Sequence, residues 1–173
     1  GPVSRNPRDL LELLVDVIPL RDMLAGQRLA VPATLAACIE RALPMLRMLC
    51  HGDGGLALFQ GADGTRQAAV RRVLDHDGVA GQPLVHAPHS GYCRLARGPA
   101  VVIADCGPAR ACSSPLAFEF SDGPHRIVGN CGTPRHASAA HRPQASASHA
   151  TSPRPRPRSA VRATSGAHCV AGS

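Results

Sequence analysis

There is no tryptophan in these 173 residues, a single tyrosine, and three phenylalanines, Phe59, Phe118 and Phe120. Large aromatics supply much of an ordinary core, so a core here has to be built from Leu, Val, Ile and Ala. Four scattered rings also give no stacking platform for single-stranded nucleic acid. Lysine is absent too: all 19 basic side chains are Arg, a mark of GC-rich coding rather than of chemistry. No apolar run is long enough for a transmembrane helix, and no signal peptide is visible. None of the seven Cys is in CxxC spacing, and an odd count suits neither a disulfide framework nor a zinc ribbon. Cys38 and Cys50 fall on helical patterns and Cys93 and Cys106 on strand-like ones, where a free Cys acts as a small hydrophobe.

What is present is unevenly placed. The net charge is +7, but six Arg and no acidic residue lie between Pro134 and Ser173. The remaining residues hold 13 Arg against 12 Asp and Glu. A nearly neutral body argues against a specific nucleic-acid partner. From Thr133 onward the composition collapses to Ala, Ser, Pro, Arg and His, which cannot bury enough apolar surface to offset chain entropy. Residues 133–173 therefore read as a disordered basic tail, either natural or the product of a frameshift in a GC-rich gene.

Before that point the chain divides in two. Asn6 can cap a helix that Pro7 opens, with Leu10, Leu14, Val17 and Ile18 as its apolar stripe. Pro19 is expected to kink or end this helix, and the chain to turn near Gly26. A second helix opens at Pro32, its apolar residues recurring at three and four from Leu35 to Leu49; Pro44 predicts a kink. Residues 51–55 make a turn, Leu56–Phe59 a short apolar run that could be a strand, and Thr65–Leu74 a third helix. After Pro88 the period becomes strand-like. Tyr92–Ala96 and Ala100–Cys106 predict a hairpin, Leu116–Phe120 a half-buried strand, and His125–Asn130 its return. The fold class is α+β: residues 1–80 helical, 81–132 an antiparallel meander.

Several segments, in order, resemble the heparinase II/III-like family of polysaccharide lyases. They are SRNP at Ser4–Pro7, PLRDML at Pro19–Leu24, LPMLR at Leu43–Arg47, HGDGGLALF at His51–Phe59, HAPHSGY at His86–Tyr92 and LAFEFSDGPHRIVGNCG at Leu116–Gly132. The resemblance covers about residues 3–132, and nothing after Gly132 carries it. It implies the end of an α/α toroid followed by the first strands of an antiparallel β-sandwich, so that the chain reads as a piece of a larger protein. It also implies a partner, acidic polysaccharide, cleaved by β-elimination, and a periplasmic or cell-envelope location, with the cytoplasm left open. No cofactor is implied. A base must remove the proton beside the uronate carboxylate while an acid assists the leaving oxygen, which requires groups tuned for proton transfer.

The candidates for that chemistry are Tyr92, His89 and His51, with Asn6 and His86 as candidate substrate-binding residues. Each also has a plainer explanation. His51 suits a helix C-terminus, Tyr92 can pack between domains, and Asn6 is a good helix cap. His86 and His89 are separated by Pro88, so they are not a helical metal-ligand pair, and no metal site is expected. Two positions depart from the family pattern. Cys112 stands where a His is usual before the LAFEF strand, and Pro2 where a His often precedes SRNP. As it stands the chain is expected to be inactive as a lyase. The rival reading is a polyanion-binding or interaction module that uses the Arg-rich tail.

Overall fold

The computed structural model describes residues 3–62, 67–76, 81–107, 117–130 and 152–153. Three helices come first: α1 (Pro7–Gly26), α2 (Ala33–Met48) and α3 (Gln67–His76). The Asn6 side chain accepts a hydrogen bond from the Arg8 N–H at 2.8 Å, and Pro7 occupies the first helical turn. Pro19 does not end α1, which runs on to Gly26. It lies on the exposed side of the helix. Pro44 is likewise carried inside α2. Leu10, Leu11, Leu14 and Ile18 of α1 face Ile39, Leu43 and Leu46 of α2 in one core. Val70 and Val73 bring α3 onto it, and His76 pairs with Asp22 of α1 at 2.9 Å.

The sheet follows as an antiparallel meander of β1 (His86–Ala87), β2 (Tyr92–Arg97), β3 (Ala100–Asp105), β4 (Phe118–Asp122) and β5 (His125–Gly129). A two-residue β6 (Ser152–Pro153) pairs with β5 at its edge. The α+β class and the meander agree with the sequence pattern. The run Leu56–Phe59 is not a regular strand: Leu56 makes a single bridge to Cys50, and the four residues are buried between helices and sheet.

The main surprise lies in β4. Its alternation is that of a half-buried strand, but Ala117, Glu119 and Ser121 point inward while Phe118 faces out. Apolar residues usually take the inner face; here the inner face carries a fully buried carboxylate. Leu95, Val102, Phe120 and Val128 form a row across the other face. Among the described residues no helix is long and apolar enough to cross a membrane.

Candidate functional site

Between the helices and the sheet lie two buried polar clusters. The first is built on the turn after α2. Gly52 lets that turn meet the β4–β5 turn, since a Cβ there would fall 2.0 Å from the Gly123 carbonyl oxygen. This close approach sets His51 beneath β4. Its Nδ1 is 2.8 Å from Ser121 Oγ and its Nε2 is 2.9 Å from Glu119 Oε2. A carboxylate only accepts, so Nε2 carries the proton that faces Glu119.

Glu119 is wholly enclosed (0 % exposed). Besides His51 it accepts from Arg126 at 3.1 Å, from the Leu58 N–H at 2.9 Å and from the Asn130 N–H at 3.0 Å. Arg126 then reaches Asp53 through two nitrogens at 2.8 and 3.1 Å. Burial raises the Asp53 pKa, but the Arg126 contact and the Gly55 N–H outweigh it and hold the carboxyl below its usual range. A buried charge is tolerated only when paired and fully hydrogen-bonded, and four donors meet that condition for Glu119.

The second cluster joins the start of α1 to the end of β3. Arg5 donates to the Ser90 carbonyl at 2.6 Å and pairs with Asp105, both side chains being buried. Gln60 donates to the other Asp105 oxygen at 2.6 Å, and the Gly107 N–H to the first at 3.0 Å. Arg5 and Gln60 both hold left-handed backbones, φ 58° and 54°. Non-glycine residues adopt that region at a cost, and these two converge on one carboxylate. Tyr92 closes the cluster. Its hydroxyl donates to the Arg5 carbonyl at 2.8 Å, its ring stacks on Phe59 with centroids 5.4 Å apart, and the Arg5 guanidinium lies 5.1 Å from its centroid. Burial, and then the Asp105 charge, push the Tyr92 hydroxyl well above its ordinary range.

These clusters place the sequence candidates apart from one another. His51 belongs to the first and Tyr92 to the second. Asn6 caps α1 and also donates to the Gln60 carbonyl at 3.3 Å, so it borders the Tyr92 cluster. His89 is exposed in the turn between β1 and β2. His86 is exposed, with Nδ1 3.0 Å from Cys93 Sγ. Cys112 and Pro2 lie outside the described residues. Sequence reasoning did not single out Glu119, Ser121, Arg126, Arg5, Gln60 or Asp105. Asp105, ending the apolar run AVVIAD, was the visible signal, since an acid at the end of an apolar run needs a partner if it is buried.

The order Ser121–His51–Glu119 matches the connectivity of a nucleophilic triad, but Ser121 and Glu119 expose nothing to solvent. A substrate cannot reach the hydroxyl, so the arrangement works as a structural joint. Among the described residues no cluster of His, Cys, Asp and Glu could hold a metal ion.

The family model "Heparinase II/III-like, C-terminal" matches residues 79–165, half of the chain. This chain belongs to the heparinase II/III-like family. The match begins where helices give way to strands, and it continues past Gly132, where the motif resemblance stops. The chain is also similar to FtsZ-localized protein C of Caulobacter vibrioides (strain NA1000 / CB15N), with 36 % identity over 148 residues. That alignment covers 82 % of this chain and 26 % of the relative, so the chain spans about a quarter of the relative's length. No solved structure matches it.

Proposed function

We propose that this chain is a non-catalytic module of a lyase-like protein and that the protein acts by association at sites where FtsZ gathers. One observation carries the first half: two of the three proton-transfer candidates, Tyr92 and His51, are sealed. Tyr92 is 1 % exposed and spends its hydroxyl proton on the Arg5 carbonyl. His51 has both ring nitrogens committed to Ser121 and Glu119. A general base must come within hydrogen-bond reach of the proton it removes, and neither group offers a free nitrogen or oxygen toward solvent. The second half rests on likeness to FtsZ-localized protein C over 82 % of this chain, which also favours the cytoplasm over the periplasm. The start of the family match at residue 79 supports reading α1–α3 as the end of an α/α toroid and β1–β5 as the opening of a sandwich.

Two measurements test this. Incubation with heparin, heparan sulfate or alginate is expected to release no unsaturated uronate absorbance. Sedimentation with FtsZ polymers is expected to carry the protein into the pellet. Steady release of unsaturated product, abolished by Tyr92→Phe, would instead assign the chain to β-elimination on acidic polysaccharide. A second reading has its own support in the six Arg and no acidic residue of 134–173. On that reading the tail holds polyanions, and heparin binding is lost when it is deleted.

A further inference from the structure

The paired strands β2 and β3 bring two thiols and an imidazole onto one face, away from both buried clusters. His86 is the register partner of Cys93 across β1 and β2, and Cys93 is the partner of Ala104 across β2 and β3. Cys106 lies two residues beyond Ala104, so it projects from the same face as Cys93. The strand ends there are drawn tightly together. The Cys106 N–H donates to the Gly91 carbonyl at 2.8 Å, and a Cβ at Gly91 would fall 2.2 Å from the Gly107 Cα. Only glycine at 91, with φ +77°, permits that approach. His86 Nδ1 is 3.0 Å from Cys93 Sγ, and the strand register makes Cys106 the diagonal neighbour of Cys93. Both thiols are free; Cys106 is exposed and Cys93 half-buried.

The geometry points to a thiol–disulfide exchange site in which Cys106 reacts with a small-molecule disulfide and Cys93, assisted by His86, closes a Cys93–Cys106 bond. The Cys106 thiolate attacks one sulfur of the incoming disulfide and expels the other as a thiolate, leaving a mixed disulfide on Cys106. Cys93 gives its proton to His86 Nδ1, and its thiolate attacks Cys106 Sγ, displacing the second small thiolate. Two protein thiols thus lose two protons and two electrons, and the oxidant is reduced to two thiols. Burial and the neighbouring Cys106 thiol push Cys93 above its ordinary range, and His86 Nδ1, 3.0 Å from the sulfur, is placed to take its proton. Diagonal neighbours in an antiparallel pair lie at the upper edge of the Cα separation a disulfide spans, so closure draws the ends of β2 and β3 together. The inference does not depend on FtsZ association or on the absence of lyase activity.

The test uses the whole chain and glutathione disulfide, with peptide mapping under non-reducing conditions. The expected product is a Cys93–Cys106 cross-link that dithiothreitol reverses. Cys93→Ser is expected to stop at a glutathione adduct on Cys106. His86→Asn is expected to leave the rate of first adduct formation unchanged and to slow closure by about tenfold or more. A dominant cross-link to Cys112, or two stable adducts with no closure, would overturn the pairing. Closure in His86→Asn at the unmodified rate would overturn the three-residue site.

Discussion

Removing the Glu119 carboxylate leaves His51, Arg126 and two backbone N–H groups converging on an empty acceptor position. Breaking a buried charge cluster by deleting one member typically costs about 3–5 kcal/mol, a large share of an ordinary domain's stability. Glu119→Ala is therefore expected to lower the urea midpoint sharply, and a change under about 1 kcal/mol would mean that water replaces the carboxylate. Tyr92→Phe removes only the hydroxyl bond to the Arg5 carbonyl and keeps the ring against Phe59. It should cost about 1 kcal/mol. Asp53 gives the pH dependence. Its folded pKa lies below the ordinary 3.8, so the native state binds fewer protons than the unfolded chain. Its stabilisation is complete above that value and is lost as pH falls through the lower, folded one. Asp53→Asn should flatten that acid limb of a stability–pH curve. None of these partnerships is written in local sequence. Asp53 and Arg126 are far apart along the chain, and Glu119 between two Phe reads as an outward-facing residue until its donors are known.

At the scale of elements, what was legible is what depends on near neighbours. The cap at Asn6 and the apolar stripes of α1 and α2 follow from spacing over a few residues. So do the turns at Gly98 and Gly123, and the meander they produce is the one observed. The inverted face of β4 was not legible, because it is set by groups on other elements: the Leu58 N–H, the Asn130 N–H and the His51 ring. Of the two outcomes expected at Pro19, a kink or an end, the end does not occur, for a related reason. A proline removes one helical hydrogen bond, but Leu14 and Ile18 are already fixed against α2. The joint between elements predicts its own weak point. At Gly52 a methyl group would meet the Gly123 carbonyl at 2.0 Å, and both partners are backbone. Gly52→Ala should push the β4–β5 turn away from His51 and destabilise the fold by more than the about 1 kcal/mol of an average point substitution. Gly54→Ala, where no neighbour crowds the added carbon but φ is +75°, is the comparison that separates a clash from backbone strain.

At the scale of the whole molecule, the two clusters decide whether helices and sheet behave as one body. Arg5 stands just ahead of α1 and bonds to Asp105 at the end of β3; His51 stands just after α2 and bonds to Glu119 in β4. The helical hairpin is therefore tied to the sheet at both ends. Neither half can leave without exposing paired charges and the Tyr92–Phe59 stack, so the two should unfold together. Native-state hydrogen exchange reads this directly, because elements that open in one step share one opening free energy. The amides of α1 and of β2–β3 are expected to give the same value in the unmodified chain. Asp105→Ala strips Arg5, Gln60 and the Gly107 N–H of their common acceptor. It should lower protection in α1 and in β2–β3 by equal amounts, although only β3 carries the substitution. If α1 instead lost protection while β2–β3 kept theirs, the helices would be a separately opening layer. The buried clusters would then be contacts between two units rather than the joint that makes them one.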